Sequence, residues 1–278
     1  MILVDTSQVV HAAIHAAKAG ETTIPTLPLA RKLLWGMLRG YRRKFREEYG
    51  ELVLCCDSAP SWRHEVFSHY KAKRSRGEDR TEFEVILLTL LNELYAYAPY
   101  KCLSVPKAEG DDIIASLSIH YCPAEPILIL SEDKDFLQLQ CWPNIAQYYQ
   151  RRKAWAPTSI DAHKTLREFI IRGDDGDGIP NCLSDADTFV VKGKKQVSLR
   201  ADIVNSWLSS SEDSGNHPFL LEGYARNKQL IDFTSIPESI RTACVTTYTE
   251  TVPAERRGLF GFFVERRLGS LLSDIGDF

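Results

Sequence analysis

Lys107-Ala-Glu-Gly-Asp-Asp-Ile-Ile-Ala115 lies where an extended apolar run, residues 101–105, gives way to an amphipathic helix. After it Ile113, Ile114, Leu117 and Tyr121 recur at helical spacing. Glu109, Asp111 and Asp112 therefore gather at a turn from strand to helix. Capping accounts for one acid at a helix start, because a carboxylate accepts from free amides and suits the helix dipole. Three carboxylates this close repel one another, and a cation between them relieves the repulsion. The stretch alone leaves both readings open.

The same event recurs outward along the chain. Ile2-Leu-Val4 ends in Asp5, and Leu52-Val-Leu-Cys-Cys56 ends in Asp57. Pro126-Ile-Leu-Ile-Leu130 runs into Ser131-Glu-Asp-Lys-Asp-Phe-Leu-Gln138, which places Asp133 and Asp135 at a strand end. Helical patterns over 29–49, 81–97 and 158–172 alternate with these strands. The alternation predicts an α/β fold, a mainly parallel central sheet flanked by helices. In such sheets sites form at the carboxyl ends of the strands, beside a switch in strand order. Independent caps at successive strand ends are improbable, so one acidic pocket shared by Asp5, Asp57, Glu109, Asp111, Asp112, Asp133 and Asp135 is the economical reading. A carboxylate pocket lacking Cys and His suits hard cations, Mg²⁺ or Mn²⁺. Two such ions roughly 3.5–4 Å apart activate a water and stabilise the leaving oxygen in phosphodiester hydrolysis.

Residues 144–149 and 151–156 read as a hairpin with a basic turn. Gly173-Asp-Asp-Gly-Asp-Gly-Ile-Pro-Asn181 is acidic and glycine-rich, but Ile179 and Ala186 fall where a calcium loop needs oxygen donors. From Asp187 onward the pattern is mostly helical. We therefore expect an α/β core over 1–172 and a helical region over 173–278, which the length of 278 residues and 44% hydrophobic content allow.

A net charge of -3 does not by itself mark a nucleic-acid binder, but its distribution is uneven. Bases cluster at 31–46, 63–80, 151–153 and 192–200, which suits an anion-binding surface beside an acidic site. In Trp62-Arg-His-Glu-Val-Phe-Ser-His-Tyr-Lys-Ala-Lys-Arg-Ser-Arg76, Arg63, Lys71, Lys73 and Arg74 are interleaved with Trp62, Phe67 and Tyr70. Single-stranded nucleic acid calls for that mixture, charge for phosphates and rings for stacking; an ordinary basic surface helix is the alternative. The 29–49 helix sets Arg31, Lys32, Arg39, Arg42, Arg43 and Arg46 mostly off its apolar stripe, as a solvated or a phosphate-facing surface.

Seven cysteines, an odd number without a C-x-x-C, read as free thiols in a reducing compartment. Met1-Ile-Leu-Val-Asp5 reads as a strand rather than a signal peptide, and no apolar run reaches the ~20 residues of a membrane span. A soluble cytoplasmic protein with no membrane contact is expected. His11 and His15 share a helix face without an obvious third ligand, which argues against zinc. A Walker A motif, a serine nucleophile elbow and a deaminase zinc motif are absent.

Asp5-Thr-Ser, Asp57, Tyr70-Lys71 with Arg74, Glu109-Gly-Asp-Asp, Ser131-Glu-Asp-Lys-Asp-Phe and Gly173-Asp-Asp-Gly-Asp resemble, in order, the flap endonuclease and 5′ nuclease family. The likeness is strongest to its branch of ribonuclease H from T-even bacteriophages. It extends to Leu230-Ile-Asp-Phe-Thr-Ser-Ile-Pro237 and Leu271-Leu-Ser-Asp-Ile-Gly-Asp-Phe278. The resemblance implies a PIN-like core and a 5′→3′ exonuclease with flap endonuclease and ribonuclease H activity. The substrates implied are an RNA·DNA hybrid and flapped or nicked duplex DNA, with removal of lagging-strand RNA primers in an infected bacterial host. It assigns Asp5, Asp57, Glu109, Asp111, Asp112, Asp133 and Asp135 to a first Mg²⁺, and Asp174 and Asp177, with Asp133 and Asp135, to a second. Lys71 and Arg74 match bases that stabilise the scissile phosphate, and Tyr70 matches a ring that stacks on the terminal base. A duplex-gripping glycine hairpin is replaced by Asn181-Cys-Leu-Ser-Asp-Ala-Asp187, so Lys192, Lys194 and Lys195 are expected to take its place. Arg63 and Lys73 join the nucleic-acid contacts. A monomer is expected, with single-stranded-DNA-binding protein and a sliding clamp as further partners. The chain opens at its first strand, without the N-terminal extension through which a clamp contact is expected. Gly258-Leu-Phe-Gly-Phe-Phe263 reads as a docking segment or as core.

A non-catalytic, structure-specific nucleic-acid-binding protein on the same fold is the alternative. It is disfavoured because no central acid is missing.

Overall fold

Four short runs form the first strands: β1 (Ile2–Asp5), β2 (Leu52–Cys56), β3 (Lys101–Ser104) and β4 (Ile127–Leu130). With β5 (Ile145–Tyr149) and β6 (Ala154–Trp155) they make a six-stranded sheet in the order β3-β2-β1-β4-β5-β6. Every neighbouring pair is parallel except the β5–β6 hairpin. The chain steps outward from β1 to β3 and then returns to lay β4 on the other side of β1. The strand order thus switches between β1 and β4, whose carboxyl ends carry Asp5 and the Ser131–Asp135 turn.

The computed structural model describes residues 1–18, 26–73, 81–210 and 221–278. Among these, the core lies in two layers on either side of the sheet. Ile2, Val4, Leu52, Leu54, Leu128 and Leu130 point to one face. There they meet α1 (Thr6–Ala16), α2 (Leu27–Tyr49), α4 (Thr81–Tyr97) and α10 (Arg256–Glu265). Leu3, Val53, Cys55, Leu103, Ile127 and Ile129 point to the other, against α5 (Gly110–Tyr121) and α9 (Glu238–Glu250). Strands covered on both faces read as continuous apolar runs, which is why these segments were visible in the sequence. Leu259, Phe262 and Phe263 of α10 pack with Trp35 and Phe278, so half of the 258–263 segment is core; Gly258, Phe260 and Gly261 remain exposed.

A third cluster joins the short α3 (Arg63–Val66) and the turns after it to α6 (Ala162–Arg172), α7 (Ala201–Ser209) and α8 (Glu222–Ile231). Phe67 and Tyr70 sit inside it with Ile170, Ile171, Leu230 and Ile231. A four-residue helix, α11 (Gly269–Leu272), closes the series.

Several expectations need correction. Arg31 and Arg42 are not part of a solvated basic face. Arg31 forms a buried two-pronged pair with Glu93 of α4 at 2.6 and 2.7 Å, and Arg42 holds Glu51 and the Asp277 carbonyl. α6 starts later than the pattern suggested, because Asp161 caps it by accepting from the Lys164 amide at 2.9 Å. Residues 185–200 are turns and extended chain rather than helix. Buried Asn181 ties that segment down, bonding to Gln196 and to the Val197 carbonyl, and Ser184 accepts from the Val197 amide.

His11 and His15 stack on one face of α1 against Phe83. All seven cysteines are free, and five are buried: Cys55, Cys56, Cys122, Cys182 and Cys244. Among the described residues no helix is long and apolar enough to cross a membrane.

Candidate active site

Asp5 ends β1 and caps α1. Its Oδ1 accepts from the Gln8 amide at 3.0 Å, and its Oδ2 accepts from the Ser131 hydroxyl at 3.0 Å. Asp57, just past β2, is exposed and accepts from Ser7 Oγ at 2.6 Å and from the Gly110 amide at 2.7 Å. A side chain at Gly110 would press on the Cys55 carbonyl and Asp57, so the start of α5 sits tight against the end of β2. That contact delivers Asp111 to the pocket. Asp133 accepts from the Asp135 amide at 2.9 Å and caps the 3₁₀ segment Lys134–Cys141.

The second acidic group arrives through α6, which packs on that 3₁₀ segment. Beyond α6, Gly173 adopts φ 69 with the Ile179 and Pro180 carbonyls where a Cβ would lie, so only glycine fits. The loop closes by paired backbone bonds between Asp174 and Ile179. Asp174 also accepts from the Asp177 amide at 3.2 Å.

The electrostatics record the crowding. Burial, then the neighbouring Asp57 and Asp133, raise Asp5 to about 6. Burial and then Asp133 raise Asp135 to about 8, with Asp174 and Asp177 adding to the shift. Burial pushes Asp111 well above the ordinary carboxylate range, helped by Asp5, Asp133, Asp57 and Glu109. Asp133 is raised by burial, and Asp174 and Asp177 add to it. Asp133 therefore belongs to both groups. Among the described residues no three carboxylates converge tightly enough to enclose an ion by themselves, and Asp5, Asp57, Asp111, Asp133 and Asp135 are each at least partly exposed, so the acids line an open bowl.

Three side chains expected at the site turn inward instead. Asp112 is fully buried and is taken up by an internal network. It pairs with Arg63 at 2.8 and 3.0 Å, accepts from Trp62 Nε1 at 3.1 Å and caps the Glu109 amide at 2.9 Å. Arg63, expected to touch nucleic acid, is only 4% exposed and also holds Glu109 and the Leu230 carbonyl. Tyr70, expected to stack on a base, is buried in the third cluster, and its hydroxyl donates to Glu109 at 2.8 Å and Asp177 at 3.0 Å. Trp62 and Phe67 are buried as well, so the rings of this stretch anchor it rather than present it.

Lys71 takes φ 54, its amide donates to the Asp177 carbonyl at 2.8 Å, and its ammonium pairs with Glu109 and lies 3.9 Å from Asp177. Gly178 lets this segment approach, since a Cβ there would lie 3.2 Å from the His69 carbonyl. Burial raises Glu109, but Lys71 and Arg63 outweigh it and hold the carboxyl below its usual range. Glu109 is thus a link between the 63–73 segment and the pocket. Arg74 lies outside the described residues. Lys73 pairs with Asp175 at 2.5 Å and lies over the Phe189 ring, and Lys194 bridges Asp185 and Asp187. Lys192 and Lys195 are exposed on the same loop.

The sequence assigned no role to Ser7, Gln8, Ser131 and Gln147, which fix the acids; Ser7 and Ser131 belong to the quoted motifs and Gln8 follows one, but Gln147 carries no local signal.

The family model described as the 5′-3′ exonuclease N-terminal resolvase-like domain matches residues 1–169, and that of the T4 RNase H C-terminal domain matches residues 161–278. The chain belongs to the 5′-3′ exonuclease family. It is 31% identical over 245 residues to ribonuclease H of Enterobacteria phage T4, covering 83% of this chain and 80% of that protein. A flap endonuclease Xni from Yersinia enterocolitica is 35% identical over 99 residues, covering 34% of this chain and 38% of that protein. The 5′-exonuclease of phage T5 with bound divalent zinc shares the fold, with a TM-score of 0.64 at 12% identity over 90% of this chain and 98% of that one. A variant of the bacteriophage T5 flap endonuclease, solved as a pseudo-enzyme-product complex with DNA and metal ions, gives 0.60 at 13% identity over 99% and 97%. As a member of the 5′-3′ exonuclease family the chain is a nuclease, a hydrolase of the 5′ nuclease kind.

Proposed function

We propose that this nuclease is a divalent-cation-dependent 5′→3′ exonuclease and flap endonuclease with ribonuclease H activity. In this reading it acts as a monomer on RNA·DNA hybrids and on flapped or nicked duplex DNA, and removes lagging-strand RNA primers during phage replication. One observation carries the reading: two groups of aspartates, sharing Asp133, meet at the switch between β1 and β4, and burial raises Asp5, Asp111, Asp133 and Asp135 among them. The donor set fits Mg²⁺. That ion keeps several waters and binds through one or two carboxylates plus substrate phosphates, so it suits an open bowl rather than a closed cage. Asp5, Asp57, Asp111 and Asp133 would hold one ion, and Asp133, Asp135, Asp174 and Asp177 a second; Mn²⁺ substitutes. When bound, the ions supply charge neutralisation at the phosphate and a more acidic water.

The chain's own residues do the rest. Ser7 and Gly110 orient Asp57, and Ser131 and the Gln8 amide orient Asp5. Lys71, held between Glu109 and Asp177, places a positive charge at the rim where a phosphate approaches. Lys71→Ala is expected to lower kcat about 10²-fold, the scale of one lost preorganised donor, while KM moves little. Single-turnover cleavage against a binding titration checks this; a change in binding alone removes the role. Lys73, Lys192, Lys194 and Lys195 line a common surface that suits the backbone of a duplex. Single-stranded-DNA-binding protein and a sliding clamp remain as proposed partners.

The raised acids set a pH dependence. An acid whose folded pKa lies above its unfolded value favours the fold at low pH and loses that contribution as pH rises through the folded value. For Asp5 and Asp135 the window runs from about 4 to about 8. Glu51 and Glu109 are lowered, so their contributions fade only below the ordinary carboxylate range. The cation-free protein should therefore melt several degrees lower at pH 8.5 than at pH 5.5, and saturating Mg²⁺ should remove the difference. Cation binding displaces protons, so its affinity should fall about tenfold or more from pH 8 to pH 6. Thermal melts with and without Mg²⁺ read both effects.

The deciding test of function is a 5′-labelled RNA primer on DNA beside a 5′-flap duplex, with and without Mg²⁺. Short 5′ products that require the cation are expected. Tight binding without cleavage would favour the non-catalytic reading.

A further inference from the structure

The turn after β4 carries Asp133 and Asp135, and its backbone is held mostly by side chains from elsewhere. Gln150 Nε2 donates to the Leu130 carbonyl at 2.8 Å, and Gln8 Oε1 accepts from the Glu132 amide. Ser131 Oγ accepts from the Asp133 amide at 3.1 Å while donating to Asp5. Gln147 of β5 makes the central contact: its Nε2 donates to the Ser131 carbonyl at 3.0 Å and to the Asp133 carbonyl at 2.7 Å.

Gln147 is 2% exposed, and its Oε1 is buried with no partner among the described residues. A buried amide with an unpaired oxygen is a costly way to fill space, and a methionine would pack beside Ile145 without that cost. The two carbonyls fix the amide's orientation, and a glutamate there would set oxygen against oxygen. We propose that Gln147 is a positioning residue for the nuclease reaction. It clamps the Ser131–Asp133 backbone, and through the Ser131 hydroxyl it fixes how far Asp5 stands from Asp133 and Asp135. It thereby sets the affinity of the acidic bowl for divalent cations. The inference rests on the cation-dependent reading above.

Gln138 supplies a matched comparison. It is equally a buried glutamine bonded to two backbone groups, the Ile231 carbonyl at 3.1 Å and the Phe233 amide at 2.9 Å, and it faces away from the acids. Mn²⁺ binding is measured by calorimetry, without nucleic acid, on the wild type, Gln147→Met and Gln138→Met. Loss of an outer-shell support typically weakens metal binding about 10–100-fold, and that shift is expected for Gln147→Met. Gln138→Met should lower the melting temperature similarly yet bind Mn²⁺ within about twofold of the wild type. The cation concentration for half-maximal cleavage should rise with Gln147→Met while KM for the duplex stays put. Equal Mn²⁺ affinity in the two variants would overturn the proposal. A wild type that binds no Mn²⁺ would overturn the cation-dependent reading and the proposal with it. If Gln147→Met does not fold, Ser131→Ala, which removes the hydroxyl between Asp5 and Asp133, should give the same shift, and wild-type affinity there would overturn it.

Discussion

Asp133→Asn is expected to lower the cleavage rate by about 10³-fold or more, close to 4 kcal/mol of transition-state stabilisation, while duplex binding survives. Asp133 is a close neighbour of both acidic groups: it stands against Asp5 and Asp111 on one side and against Asp135, Asp174 and Asp177 on the other. Asparagine keeps the shape and the Oδ1 that caps the Asp135 amide, so the turn should persist. Only a negative charge and one anionic oxygen disappear. Losing that charge relieves repulsion among buried acids, so the cation-free variant should melt no lower than the wild type, and phosphates should bind it at least as well. Single-turnover kinetics at saturating Mg²⁺, with a gel-shift titration in parallel, give both quantities. Cleavage at the wild-type rate would remove Asp133 from the site, and loss of binding together with cleavage would make its role one of folding.

The acids were legible because of how a parallel sheet is built. An inner strand of such a sheet is apolar throughout, so an Asp immediately after it marks the carboxyl edge, where α/β sites form. Asp5 and Asp57 could be placed on that argument alone, Asp133 and Asp135 lie in the turn directly after β4, and Asp111 was placed by the recurrence of the pattern along the chain. Asp112 could not. Consecutive residues on a helix point about 100° apart, so when Asp111 faces the pocket Asp112 must face the interior. Which of two adjacent acids takes which direction depends on Trp62 and Arg63, which hold Asp112 from outside α5, and spacing does not encode it. Tyr70 and Arg63 misled for a related reason. Interleaved rings and bases describe a nucleic-acid surface and a buried polar anchor equally well, and only the third apolar cluster separates the two. Gln147 was invisible because its partners are backbone carbonyls, which every sequence supplies.

Arg63→Ala follows from that buried anchor and should destabilise the protein by about 3–5 kcal/mol, as expected when one partner of a buried ion pair is removed. The guanidinium contacts Asp112 through both terminal nitrogens, Glu109 at 3.1 Å and the Leu230 carbonyl at 2.9 Å, and it stacks 4.7 Å from the centre of the Trp62 ring. Truncation leaves the Asp112 carboxylate, at 0% exposure, without its counter-charge. It also cuts the link between α5, which carries Asp111, and α8 of the helical region. For a chain of this size the melting temperature should fall on the order of 10 °C. The effect distinguishes the buried anchor from the phosphate contact that the sequence suggested. A phosphate-binding arginine on the surface would leave the melting temperature alone and reduce the salt slope of duplex binding by about one. The double variant Arg63→Met/Asp112→Leu removes both charges together and should recover most of the lost stability, since replacing a buried pair by apolar groups is often neutral or better. Urea unfolding of the single and double variants measures the coupling directly. A single variant as stable as the wild type, with a shallower salt slope, would return Arg63 to the nucleic-acid surface.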